Sequence, residues 1–98
     1  MKKLDIATGT NGFKYSVIFN KLGVTILGKE NKVQYVKYTD IKELDYHKSF
    51  PNYVFTAKTQ WNKFPDIGLF DIDEESCKKI MNTFSCYMEE HYSISNHQ

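Results

Sequence analysis

Histidine near a carboxylate is the pattern in this chain that comes closest to acid–base chemistry. His47 follows Asp45 by two residues, and a histidine oriented by a carboxylate can act as a general base. No nucleophile in a recognisable turn lies nearby, so we interpret His47 as a solvated loop residue. His91 falls on an apolar helical stripe and His97 in the polar tail. The sequence predicts no catalytic residue; a small enzyme would need His47 or His91 in a concave pocket with carboxylates.

Metal and nucleotide sites are not indicated either. Cysteine, histidine and carboxylates never occur at zinc-binding spacing. The glycines at positions 9, 12, 23 and 28 form neither a dinucleotide-binding motif nor a P-loop and are read as turn glycines. A short acidic run fits a helix cap better than a cation site or a docking strip: Asp71, Asp73, Glu74 and Glu75. We predict no metal and no cofactor.

The two cysteines predict a reducing compartment. Cys77 and Cys86 are nine residues apart in a predicted helix, which separates them by about 13 Å along its axis. A disulfide needs α-carbons within about 7 Å, so we expect a buried Cys77 and an exposed, unreactive Cys86. No apolar run approaches the roughly 18 residues of a membrane span, and Met1–Asp5 does not begin a signal peptide. We expect a cytoplasmic protein.

Every basic residue of the chain is lysine. Arginine is the usual side chain for bidentate phosphate and guanine recognition, so nucleic-acid binding is not expected. Residues 1–63 hold eleven lysines and five acids, whereas residues 64–98 hold two lysines and seven acids. This asymmetry predicts either a dipolar surface with a binding face or lysines on the outward faces of strands, where they discourage edge pairing. We favour the second interpretation.

Loop aromatics are the strongest indication of a partner. Trp61 and Phe64 lie in a predicted loop, and Phe50 and Tyr53 lie in or beside the loop before it. Loops run over the surface, and aromatic side chains are enriched at interaction hot spots. The alternative is that Trp61 folds back over one end of the core. The predicted partner-binding residues are Trp61, Phe64, Phe50, Tyr53, Lys48 and Lys63.

One amphipathic helix must close the chain. Cys77, Ile80, Met81 and Phe84 begin an apolar stripe at helical spacing, which predicts a helix over about 74–92. Asp73 is its expected N-cap. Residues 93–98 are expected to form a polar, frayed tail.

The residues before the helix predict short strands. Aromatic residues make up 15% of the chain, and they favour pleated, half-buried surfaces. We predict one domain over 1–98, with strands between about 4 and 72. The predicted class is α+β, mainly β: a bent antiparallel sheet or split barrel of 6–7 strands closed by the C-terminal helix. The strands are expected at Leu4–Ile6, Phe13–Asn20, Val24–Leu27, Lys32–Tyr38, Ile41–Tyr46, Tyr53–Thr59 and Ile67–Ile72.

Three short motifs in this order resemble the pleckstrin-homology (PH) superfold, especially its small bacterial and GRAM-like versions. They are Gly23–Ile26, the corner within Val36–Leu44, and Phe70–Cys77 at the entry to the helix. The resemblance implies a non-enzymatic platform that binds phosphoinositide headgroups, peptides or proteins. The phosphoinositide binders carry a lysine- and arginine-rich pattern across the first hairpin. Here that stretch offers only Lys14 and Lys21, which speaks against specific inositol-phosphate recognition.

We interpret the protein as a PH-like interaction module that binds a protein partner through loop aromatics or a sheet edge. A homo-oligomer is one form of this function, and a small inhibitor or immunity-type protein of a bacterium or phage is another. The alternative is a PH-like domain that binds a membrane or an acidic ligand through its lysine-rich strands, since each clustered lysine contributes about 1 kcal/mol near an anionic membrane.

Overall fold

The computed structural model of the chain describes residues 1–9, 13–60 and 67–96. Within these residues seven strands precede one long helix, which confirms the predicted α+β, mainly β class. Two 3₁₀ turns interrupt the strands, Lys29–Asn31 and Tyr38–Asp40. The strands are β1 Lys2–Ala7, β2 Lys14–Phe19, β3 Gly23–Leu27, β4 Val33–Lys37, β5 Ile41–Ser49, β6 Asn52–Thr59 and β7 Ile67–Ile72, and the helix is α1 Glu74–Asn96.

The first four strands form an antiparallel meander in the order β1-β2-β3-β4, here called sheet 1. Its inner face follows the period of two that a half-buried strand requires. In β2, Val17 and Phe19 are fully buried, while Lys14, the first residue of the strand, is exposed. The buried residues of the neighbouring strands continue this face: Leu4, Ile6, Val24, Ile26 and Val36.

The last three strands form a second antiparallel sheet in the order β5-β6-β7, here called sheet 2. The predicted loop over residues 47–52 is wrong, because β5 continues to Ser49 and β6 begins at Asn52. Ladder pairing of Lys48 with Tyr53 extends the hairpin to a two-residue turn, Phe50-Pro51, whose peptide bond is cis. Proline has no backbone N–H to donate, and this makes the segment resemble a loop in the sequence. The strands on both sides of Pro51 nevertheless remain paired. His47 therefore lies in a strand.

Helix α1 packs its apolar stripe between the two sheets. The ring of Phe84 meets Phe19 edge-on, with centroids 5.1 Å apart, and stacks on Phe55 with centroids 5.6 Å apart. Cys77 and Ile80 are also fully buried, so the helix closes a core that both sheets share. Cys77 is buried and Cys86 exposed, as predicted.

The ends of α1 are set by different signals. The backbone N–H of Ser76 donates to Asp73 Oδ1 at 2.8 Å, which confirms the predicted N-cap. The prediction that the helix stops near Tyr92 is wrong, because α1 continues to Asn96. The segment Ser93–Asn96 is polar but contains neither glycine nor proline, the residues that most strongly end a helix, so the helical backbone continues through it.

Side chains join the two sheets where β7 passes the end of sheet 1. Gln34 Nε2 donates to the Gly68 carbonyl oxygen at 3.1 Å, and the Gly68 N–H donates to Gln34 Oε1 at 3.2 Å. Nearby, the Phe70 N–H donates to the Tyr15 hydroxyl oxygen at 3.2 Å. The side-chain amide of Gln34 thus bonds to the N–H and the carbonyl oxygen of Gly68, as the backbone of a neighbouring strand would. Over the described residues β4 and β7 stay in separate sheets, and the strands do not close into a barrel.

Replacing Gln34 with alanine is expected to lower the free energy of unfolding by about 1–3 kcal/mol, since it removes the hydrogen-bond partners of the N–H and the carbonyl oxygen of the buried Gly68. Urea unfolding followed by circular dichroism measures the change. Gln60→Ala is the matched control, because Gln60 reaches the carbonyl oxygens of Thr39 and Ile41 only at 3.3 Å and is expected to matter less. Equal losses for the two variants would contradict the proposed role of the Gln34 amide.

Candidate functional site

The turn between β5 and β6 presents the most exposed large ring of the described residues. Phe50 is 88% exposed. The ladder extends to the Ser49–Asn52 pair, so Phe50 lies at the far end of a long hairpin. Lys48 and Pro51 are also exposed. We call Lys48, Phe50 and Pro51 the hairpin tip; it offers one apolar ring beside one ammonium group.

The other predicted partner-binding residues fall in two groups. Tyr53 is half-buried, packs against the core and lies beside Tyr46 with ring centroids 6.2 Å apart, so only part of its ring is available at the base of the hairpin. Trp61, Lys63 and Phe64 lie outside the described residues. Whether they extend the hairpin tip into one aromatic patch therefore stays a prediction.

The predicted histidine–carboxylate pair is present but loose. His47 Nδ1 lies 3.9 Å from Asp45 Oδ2, and the two side chains are 60% and 46% exposed. A general base acts at hydrogen-bond distance, about 2.6–3.2 Å, and an exposed ion pair stabilises little. The structure brings the two residues together on β5 in an arrangement that water solvates.

β5 is one of the two edge strands of sheet 2, and this edge bears on the predicted sheet-edge route to a partner. Several of its residues are charged or titratable: Lys42, Glu43, Asp45, His47 and Lys48. Glu43 Oε2 lies 3.9 Å from Lys58 Nζ on β6. Charges on an edge discourage the addition of a further strand, so β5 is a poor template for pairing with another chain.

A shallow groove of about 270 Å³ lies where the β3–β4 turn approaches β7. Its walls mix two aromatic rings, two ammonium groups and one carboxylate, and Phe70 is 60% exposed at its rim. Among the described residues, no group of three or more histidines, cysteines or carboxylates could hold a metal ion, there or elsewhere. The lining residues are Tyr15, Gly28, Lys29, Glu30, Lys32, Gln34, Gly68 and Phe70.

The sequence interpretation missed an apolar surface on the outer face of sheet 1. Val33, Tyr35 and Leu27 are 61%, 52% and 39% exposed. The ladder pairs Leu27 with Val33 and sets Tyr35 opposite Thr25, so these side chains are neighbours on one face. A signal was available: β4 has apolar residues in both phases of its alternation, and only one phase can face the core.

Two buried groups have shifted pKa values for structural reasons. Burial raises the pKa of the Tyr38 hydroxyl above its ordinary value, and this hydroxyl donates to the Asn20 carbonyl oxygen at 2.7 Å. Burial, reinforced by Asp73 and Glu74, raises the pKa of the Cys77 thiol to about 11. Both groups are neutral near pH 7 and lie inside the core, so neither is a reactive group at the surface.

Comparisons with known proteins give no family to which the chain could be assigned. No family model, no curated protein and no solved structure matches it. In the part of the chain that the structure describes, no helix is long and apolar enough to cross a membrane. The candidate sites therefore stand on their own geometry.

Proposed function

We propose that the protein is a non-enzymatic, PH-like module that binds a protein partner through the hairpin tip. The observation that carries the proposal is the 88% exposure of Phe50. Burying a phenylalanine side chain contributes about 1.5–3 kcal/mol, and an aromatic anchor of this kind is typical of interaction hot spots. Trp61, Phe64 and Lys63 would extend this surface.

The order of elements supports the PH-like part of the proposal. The chain forms four meandering strands, then three further strands, then a C-terminal helix. The PH-resembling sequence motifs occur in the same order along the chain. Such domains are platforms whose function depends on their surface, so the fold by itself assigns no partner. The two unpaired cysteines support a reducing, cytoplasmic location.

A photo-crosslinking amino acid at position 50 tests the proposal in the cells that produce the protein. We expect a discrete adduct with another protein, because the side chain at this position meets the partner directly. The same amino acid at Ser85, an exposed position of α1, is the matched control and is expected to give no such adduct. Absence of an adduct at position 50, or the same adducts at both positions, would contradict the proposed role of the hairpin tip.

Contact with an anionic membrane is the second candidate, and the lysines of residues 14–37 favour it. This stretch holds five lysines and one acid. Sedimentation at low salt with phosphatidylcholine vesicles, with and without phosphatidylserine, separates the two candidates. Binding that requires phosphatidylserine and disappears at high salt would support the membrane; no binding to either vesicle would exclude it.

A further inference from the structure

The outer face of sheet 1 carries an apolar strip that continues across three strands. Tyr35, Thr25 and Ile18 occupy one cross-strand row, and Val33, Leu27 and Ser16 occupy the next. Neighbouring strands are about 4.8 Å apart, so the apolar side chains of the two rows are within contact distance of one another. We call Ile18, Leu27, Val33 and Tyr35 the outer strip. It lies on sheet 1, whereas the hairpin tip belongs to sheet 2.

Gly23 leaves room for the Tyr35 side chain on this face. A Cβ atom added at Gly23 would lie 2.8 Å from the Tyr35 hydroxyl oxygen. The bare glycine therefore leaves the space in which the tyrosine side chain lies across β3, while half of its surface remains exposed. An aromatic ring that is already positioned loses little conformational entropy when a partner covers it. The strip is thus a preformed, flat apolar surface.

The charges on the outer face of sheet 1 are mostly positive. Lys37 on β4 is exposed and in phase with Val33 and Tyr35. Lys14 on β2 is exposed and in phase with Ile18. On the far strand β1, Asp5 lies 3.9 Å from Lys3 Nζ and accepts a hydrogen bond from Ser16 at 3.3 Å. The strip therefore presents uncovered apolar side chains in a basic surround.

We propose that the outer strip binds a protein segment that carries both apolar and acidic side chains. The apolar side chains of the segment would cover Val33, Leu27 and Tyr35, and its carboxylates would face Lys14 and Lys37. A second copy of the chain fits less well, because two strips face to face would bring like charges together. A membrane also fits less well, since the strip lies flat on a sheet and no ring projects from it. This surface is independent of the hairpin tip.

Selection from a library of random, displayed dodecapeptides tests the proposed partner chemistry. We expect the peptides that bind the wild-type protein to be enriched in aspartate or glutamate together with apolar residues. Their affinity is expected to fall at least tenfold for the double variant Val33→Ser, Tyr35→Ser, and to fall with rising salt. Enrichment of neutral or basic peptides, or no enrichment at all, would overturn the proposal.

Further variants distinguish a lost contact from a lost fold. Lys14→Glu with Lys37→Glu leaves the apolar side chains in place and is expected to weaken binding of the acidic peptides at least tenfold. Leu22→Ser removes an apolar side chain that is 63% exposed in the β2–β3 turn, outside the strip, and is expected to change nothing. Peptides that bind the strip variants as tightly as the wild type would refute the assignment of the site.

Discussion

Phe84→Ala is expected to lower the free energy of unfolding by about 3–5 kcal/mol, the range for truncating a buried phenylalanine. The ring is fully buried and contacts Phe19 from sheet 1 and Phe55 from sheet 2. Its loss therefore opens a cavity at the point where the helix joins both sheets. Since small domains are stable by only about 5–15 kcal/mol, the substitution removes a large share of the total.

Urea unfolding followed by far-UV circular dichroism measures this loss, and two variants calibrate it. Phe84→Leu keeps most of the buried volume and is expected to cost less than Phe84→Ala. Ser85→Ala changes the next residue, which is exposed, and is expected to shift stability by less than about 0.5 kcal/mol. A loss below about 1 kcal/mol for Phe84→Ala would mean that the helix does not close the shared core.

Alkaline conditions are expected to destabilise the protein, beginning near pH 9. Burial raises the pKa of the Cys77 thiol from 9.0 to about 11. Below pH 9 the thiol is neutral in both states, so the stability is fully present. Between pH 9 and 11 the unfolded chain releases its proton and the folded chain keeps it, which favours unfolding by up to about 1.4 kcal/mol per pH unit. The buried thiol alone accounts for about 3 kcal/mol over this window.

Tyr38 extends the same effect to higher pH. Burial raises the pKa of its hydroxyl above the ordinary value of 10.0, so its contribution is present below pH 10 and is lost as the pH rises further. Urea titrations at a series of pH values from 8 to 11 measure the slope. Cys77→Ala, which has no thiol to ionise, is expected to lose less stability across this range than the wild type. Parallel pH profiles for the two proteins would contradict a neutral, buried thiol.

Local signals in the sequence predict much of the fold. The alternation in β2 places Val17 and Phe19 inside, and the helical stripe from Cys77 onward places Ile80 and Phe84 in the core. Asp73 caps the helix as its position suggests. These features succeed because each depends on residues that are close in the chain, where the periods of strand and helix leave a direct pattern.

The errors share a different physical cause. Pro51 and Asn52 resemble a loop, yet pairing with β5 continues through Asn52, since strand pairing is decided by a partner that is distant in sequence. The outer strip was missed for a related reason: the pattern of β4 shows two apolar phases, and only the assembled sheet decides which of them is covered. Phe50 is exposed because a turn has few ways to bury a ring.

The contact between Gln34 and Gly68 joins the two sheets through a side chain. Within each sheet, a backbone hydrogen bond is flanked by further backbone hydrogen bonds between the same two strands, which oppose its breaking. At this contact the partner of the Gly68 backbone is the side chain of Gln34, which can rotate away from Gly68 while the strand pairing within both sheets remains intact. A change in the width of the groove between Tyr15 and Phe70 therefore alters side-chain hydrogen bonds and leaves the backbone pairing within each sheet in place.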